Sequence, residues 1–418
     1  MSIDPETHRR HRYGKHGRPR LICVIPCHNE PDPLMTLESL VGCQQPDGPV
    51  EVMVVVNGSE ADDDDVRRRN QQSVELLEFW ARTHADCFFK LWIRYYPDLP
   101  RRHAGVGLAR RLGMDEACER LLQTSAQCPG IIVALDADCR VAPDYFVALV
   151  QHFTIHSGMV GGSIYFQHPL EGLSADHRRG IVGYELHLRI YRQGQRYAGF
   201  PHAFHTVGSA MAVRADVYRR LGGMNLRKAG EDFYFLQKVM AHGPFSDITT
   251  TTVFPSARLS NRVPFGTGRA MTHWHQGDED RFTTYDIRIY QELRPFFQSV
   301  RAMAHDKNVT LTAASDCLKE FLVQHHVERA IKEIRFNTAT PQSFEKRFFL
   351  WFNPFKLLKY VHFASDKCYQ NISVQQAGTN LLAWMGMTSE AGIGDDEALL
   401  ERLRRLDRET NDGAEGVR

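Results

Sequence analysis

From Leu21 to about residue 215 the chain alternates short apolar, β-branched runs with amphipathic stretches, and several of the runs break off into polar residues. A chain written this way folds as strand–helix units feeding a mostly parallel sheet, because parallel neighbours need a crossover long enough to hold a helix. Strands are expected at Leu21–Pro26, Glu51–Val56, Phe88–Tyr95, Ile131–Leu135, Met159–Phe166 and Ser209–Val213. The spacing of Phe146, Leu149, Val150 and Phe153, repeated in Met114, Ala117, Cys118 and Leu121, marks helices that bury a stripe against that sheet. After about Thr283 the signal becomes long helical periodicity, and from Asp407 the composition turns polar, with Gly413 and Gly416. The expected order is a basic flexible tail (1–18), an α/β domain (19–282), a helical appendage (283–406) and a polar tail (407–418).

Composition removes several function classes. With 51 Lys+Arg against 50 Asp+Glu the net charge is +1, so no nucleic-acid partner held by bulk charge is expected. Nine Cys without a C-x-x-C pair read as reduced thiols of a cytoplasmic protein, with neither a disulfide framework nor structural zinc. The apolar stretch after Arg20 is too short for a secretory signal, and the charge-free stretch Tyr145–Leu170 carries Gln151, His152, His156, Gln167 and His168, which hydrocarbon would penalise. Membrane contact is therefore expected to be peripheral at most, at the inner face. Two segments bear on it: the first twenty residues, with six Lys/Arg and three His, and the aromatic, basic stretch Arg347–Phe363. Asn353-Pro354 interrupts the amphipathic helix an anchor would need, so that stretch is expected to pack the appendage onto the catalytic domain.

In open α/β sheets ligands bind beyond the carboxyl ends of the strands. The first run ends in Pro26-Cys27-His28-Asn29-Glu30, the second in Asn57-Gly58-Ser59, and the run Ile131–Leu135 in Asp136-Ala137-Asp138. Two carboxylates two residues apart in extended chain can face one side and offer hard oxygen ligands to Mg²⁺ or Mn²⁺. Asp-x-Asp recurs within Asp62–Asp65 and at Asp278 and Asp280; only Asp136/Asp138 follow an apolar strand, with Pro143 and a helix soon after. Gly105-Val106-Gly107 opens a helix that carries Arg110, and a cation in a first turn calls for an anion beside it. A phosphate is one such anion. Further on, a short helix stops at Gly222-Gly223, and Glu231-Asp232 opens the next. Arg258, Arg262 and Arg269 lie in a Gly-bearing loop region, read as a cover for a diphosphate or an acidic acceptor, and His273 and His275 follow.

Taken in order and spacing, Pro26-x-x-Asn29-Glu30, Asn57-Gly58-Ser59, Asp136-x-Asp138, Leu221-Gly222-Gly223 and Glu231-Asp232 resemble the inverting family-2 glycosyltransferases of the GT-A fold, over about residues 19–275. The resemblance implies a Rossmann-like, mostly parallel sheet flanked by helices and a sugar transfer from a UDP- or GDP-linked donor to a glycan or lipid-linked acceptor. It implies that Pro26, His28, Glu30 and Asn57 line the nucleoside pocket, that Asp136 reaches the ribose or metal, and that Asp138 is the main ligand of Mn²⁺ or Mg²⁺. Arg110 would face the donor, Gly222 and Gly223 the acceptor, and Asp232, beside Glu231, would be the base; His273 is a further candidate ligand. A base at a helix start is expected to stay ionised and weakly basic.

Family members usually carry Asp at the second strand end, so Asn57 leaves the nucleotide base open. Gln291-x-x-Arg294 is followed by Pro295 instead of Trp, which argues against a polymer-extruding synthase. Two alternatives remain: a haloacid-dehalogenase-like phosphatase and a non-catalytic sugar-nucleotide-binding scaffold. The phosphatase places its Asp-x-Asp on the opening strand and needs Thr or Val where Arg140 stands. A scaffold has no need of both the Asp136/Asp138 pair and Asp232.

Overall fold

The computed structural model describes residues 19–123, 130–227, 230–260, 266–276, 283–387 and 395–409. In chain order its elements begin β1 (Leu21–Cys27), α1 (Met35–Val41), β2 (Val50–Ser59), α2 (Asp64–Thr83), β3 (Phe89–Leu99), α3 (Val106–Leu122), β4 (Ile131–Ala134), β5 (Arg140–Val141) and α4 (Tyr145–Ile155). Next come β6 (Gly161–Phe166), α5 (Ala175–Tyr197), β7 (Met211–Arg214), α6 (Ala215–Arg220), α7 (Glu231–His242), β8 (Phe245–Phe254), α8 (Thr267–His275) and β9 (Thr283–Thr284). The last stretch is α9 (Arg288–His305), α10 (Asp316–Gln324), α11 (Val327–Phe336), α12 (Pro341–Trp351), α13 (Pro354–Lys367), β10 (Ile372–Ser373), α14 (Val374–Trp384) and α15 (Asp396–Glu409). The chain divides into two compact units, one ending at Gly162 and resuming over Gly208–Phe235, the other formed by Ser163–Val207 and everything from Leu236 onward.

In the first unit five strands lie in the order β3-β2-β1-β4-β7. β1 pairs in parallel with β2 (Leu21↔Val50) and with β4 (Leu21↔Ile131), β2 pairs in parallel with β3 (Val50↔Phe89), and β7 closes antiparallel on β4 (Ile131↔Arg214). All seven residues of β1 are buried, the pattern of a strand covered on both faces. β1 has its chain successor β2 on one side and the later β4 on the other. Strand order therefore reverses at β1, and a doubly wound sheet opens its ligand crevice beyond the carboxyl end of that point. The acidic run Glu60–Asp65 starts α2, with Asp63 as N-cap accepting from the Val66 N–H at 2.8 Å.

The second unit is mainly helical. α5 shares one apolar core with α9 to α15, in which Leu186, Ile190, Phe296, Phe297, Phe348, Phe352, Leu357, Tyr360, Leu399 and Leu403 are buried. The aromatic stretch Arg347–Phe363 thus turns its rings into this core. Asn353 caps α13 by accepting from the Lys356 N–H at 3.0 Å, with Pro354 in the first turn, so Asn353-Pro354 is a boundary between two helices. No described helix is long and apolar enough to cross a membrane.

Three sequence expectations change. Cys317 and Cys368, 51 residues apart, form a disulfide with Cα atoms 6.4 Å apart, against the reading of all nine as thiols; pairing at that separation leaves no local spacing signal. Helix α15 continues to Glu409, and Asp407, where a polar tail was expected, is buried because Arg189 and Arg192 of α5 surround its carboxylate. Strand β8 was missed: Thr249–Thr252 interrupts the apolar alternation, although Thr is β-branched and suits a strand.

Candidate active site

The ends of β1, β2 and β4 bring their polar residues to the same edge of the first unit. His28 donates from Nδ1 to the Asn57 carbonyl at 2.7 Å, and Asn70 of α2 donates to the same oxygen at 3.2 Å. Asn29 has φ 49°, a left-handed conformation Asn tolerates, and its N–H donates to Asn70 Oδ1 at 2.8 Å. Asp62 accepts from the Ser59 N–H at 2.8 Å, and a Cβ on Gly58 would stand 2.5 Å from the Pro97 carbonyl oxygen. Asn70 and Asp62 therefore brace the turn after β2; nothing in their local sequence singles them out, since both reach it from α2 and its approach. Pro26 and Glu30 are buried. Asn57 is buried too, and its Oδ1 has no hydrogen-bond partner.

At the end of β4, Asp136 is 36% exposed at its side chain and Asp138 is half-buried. Thr36 of α1 fixes the loop by donating to the Cys139 carbonyl at 2.8 Å. Arg110, the fifth residue of α3 and so just past its first turn, is buried and donates to Asp136 Oδ1 at 2.5 Å and to Glu231 Oε1. The anion that a cation near a helix start called for is thus supplied by two carboxylates. Asp136 and Glu231 hold the guanidinium firmly charged.

Glu231 and Asp232 open α7 after Gly230, whose φ is 68°. Glu231 is buried against Arg110, whereas Asp232 is half-buried and accepts the Phe233 N–H at 2.7 Å. Burial, reinforced by the Glu231 carboxylate, raises the Asp232 pKa to about 6 against the pull of Arg110. The expectation of a weakly basic group is corrected here, because burial and a like charge outweigh the helix dipole and Arg110. At pH 7 Asp232 is still mostly ionised, and it is more basic than an ordinary carboxylate.

Gly222 and Gly223 have φ of 75° and 78° and carry the chain out of α6 in the left-handed conformation that ends many helices. Gly222 is open, with nothing within 4 Å of a Cβ placed there. The turn is tied to α3 through Tyr218, which donates to Asp115 Oδ1 at 2.6 Å, and through Arg111, which donates to the Met224 carbonyl at 2.9 Å. His273 sits on α8 of the second unit and is exposed; Arg258 and Arg269 are half-buried, and Arg262 lies outside the described residues.

Among the described residues no three His, Cys, Asp or Glu side chains form a ready-made metal cage. The donor set nonetheless suits a hard divalent cation. Asp136 keeps one oxygen clear of Arg110, Asp138 is two residues on, and Asp136, Glu231 and Asp232 all act on the buried Arg110. Mg²⁺ and Mn²⁺ characteristically take one or two carboxylates and fill the remaining positions with phosphate and water.

Known proteins match the same stretch. The model of glycosyl transferase family 2 matches residues 22–222, and that of glycosyl transferase family group 2 matches 131–314. No curated protein matches the chain. Among solved structures, TarS 1–349 of S. aureus in complex with UDP-GlcNAc is 12% identical, with 94% of this chain and 92% of that one covered and a TM-score of 0.41. The mannosyltransferase PcManGT of Pyrobaculum calidifontis, in complex with GDP-Man and Mn²⁺, is 16% identical over 93% of this chain and 81% of its own, with a TM-score of 0.39. The two family models overlap on the strand that delivers Asp136 and Asp138 and together run from β1 past α7, so the chain belongs to the family-2 glycosyltransferases, with an α/β sheet followed by a C-terminal helical region.

Proposed function

We propose that this glycosyltransferase is metal-dependent and inverting, and that it moves a sugar from a UDP- or GDP-linked donor to a hydroxyl of a glycan or lipid-linked acceptor. The Asp136–Arg110–Glu231 bridge carries the reading: it joins a strand-end carboxylate suited to the donor side with the helix start that bears a base. The buried, unpartnered Asn57 Oδ1 supports a nucleobase N–H beside it, since leaving such an acceptor unpaired costs roughly 1–3 kcal/mol. His28 and Glu30 complete that wall. Asp138 and the open oxygen of Asp136 would hold Mn²⁺ or Mg²⁺, which when bound offsets the charge that gathers on the departing diphosphate.

The remaining work falls to the chain's own carboxylates. An acceptor hydroxyl placed near Gly222 and Gly223 gives its proton to Asp232 as its oxygen bonds to the anomeric carbon. The bond from that carbon to the diphosphate oxygen breaks on the opposite face, and a single displacement inverts the centre. Because Asp232 titrates at about 6, kcat/KM should fall on the acid side with a midpoint near pH 6 instead of near 4. A profile flat down to pH 5 would remove Asp232 from the role.

Thermal shift with UDP-, GDP- and dTDP-sugars, each with and without Mn²⁺, tests the whole reading. At a hundred times Kd one donor should raise apparent stability by about 2.7 kcal/mol, and only with the metal present. No response to any donor, or the same response in EDTA, contradicts the proposal. Asn57→Ala should weaken the responding nucleotide about three- to tenfold, as one hydrogen bond predicts; unchanged affinity would place the base elsewhere.

A further inference from the structure

Two glycines flank the Arg110–Glu231 pair, and neither is there for its backbone. Gly208 and Gly107 are both absent from the positive-φ positions, so an L-residue could adopt either conformation. Space explains them instead. A Cβ on Gly208 would overlap the Arg110 guanidinium, with Cζ 2.6 Å away. A Cβ on Gly107, the second residue of α3, would overlap the Arg227 carbonyl oxygen and press on Glu231, with its Cβ and Cγ each 3.2 Å away. In a helix alanine is ordinarily favoured over glycine, so retaining glycine at 107 needs such a reason.

We propose that Gly208 and Gly107 are positioning residues for sugar transfer: together they mould the seat in which Arg110 bridges Asp136 to Glu231, and the seat sets where the start of α7 presents Asp232. The inference rests on the functional reading above. A displaced guanidinium cannot keep both carboxylates, because its two Nη atoms serve them separately. Losing Glu231 frees the first turn of α7, and a displacement of about 1 Å at a reacting group can cost on the order of 10²-fold in rate.

The test is a double-mutant cycle of Gly208→Ala with Arg110→Lys, read for both activity and stability. Gly208→Ala alone should lower kcat about 10²-fold with donor KM little changed, and Gly107→Ala should act in the same direction. Arg110→Lys alone should cost activity, but in the Gly208→Ala background it should cost nothing or restore part of kcat, because a slender ammonium clears the new methyl. The melting temperature should couple in the same sense: Gly208→Ala destabilises wild type and is nearly neutral in the Arg110→Lys background. Losses that multiply in kcat and add in melting temperature overturn the proposal, as does a Gly208→Ala enzyme with wild-type kcat. If wild type turns over no nucleotide-sugar, the functional reading fails; the stability cycle then decides the seat separately, and a seat without turnover leaves no transfer for these glycines to position.

Discussion

Asp232→Asn should bind metal and nucleotide-sugar as wild type does and transfer ~10²–10⁴-fold more slowly. The substitution preserves shape and the acceptor for the Phe233 N–H while removing the basic oxygen. It should also hold or raise the melting temperature at neutral pH. A carboxyl whose folded pKa is raised is favoured in its protonated form, so its ionisation costs stability increasingly as pH rises from about 4 through about 6. An amide in its place does not ionise. Asp138→Ala supplies the contrast: transfer should be lost together with metal-dependent donor binding, because the proposed function puts that side chain on the metal and the donor. Glu231→Gln should be milder in rate than Asp232→Asn but lower stability, since it leaves the buried Arg110 with one counter-charge fewer. Should Glu231→Gln abolish transfer while Asp232→Asn retains it, the base is Glu231. If both transfer normally, the site lies elsewhere.

The second large effect lies in the other unit. Asp407→Asn should destabilise the protein by roughly 3–5 kcal/mol, as expected when one partner of a buried charge network is removed. Asp407 accepts from Arg189, from Arg192 at 2.5 Å, from Gln193 and from His205 Nε2 at 3.2 Å. Arg192 and Arg189 hold its carboxyl well below the usual range despite burial. The contribution of that anion is therefore present above its ordinary pKa and is lost only as pH falls far below it. The same network runs through Glu185, which takes Arg404 at 2.7 Å and His168 at 2.9 Å; His168 in turn meets Thr267 at the start of α8 at 3.1 Å. Arg404 and Asp407, one turn apart on α15, thus hold α5. Urea unfolding at pH 7 reads the effect, and a variant within about 0.5 kcal/mol of wild type would show that the Asp407 charge does not hold α15 to α5.

What the amino-acid order determined by itself is the first unit's plan. Apolar β-branched runs of strand length alternating with helix-length stretches bury both faces in a mostly parallel sheet, and the polar residues ending the parallel strands β1, β2 and β4 then share its carboxyl edge. That Asp136, Asp138, Asn57 and His28 would lie at that edge was legible for that reason, whereas Asp232 was singled out only by the family resemblance. Tertiary structure decided what depends on partners distant in sequence. Arg110 announces a need for an anion, but that the anions are Asp136 and Glu231, 26 and 121 residues away, follows only from folding. The basicity of Asp232 is of the same kind, because burial and a neighbouring charge are properties of an environment and not of a dipeptide. So are the pairing of Cys317 with Cys368 and the burial of Asp407. A polar terminus and an ion-paired core helix have the same composition, and only the arrival of Arg189 and Arg192 around that carboxylate separates them.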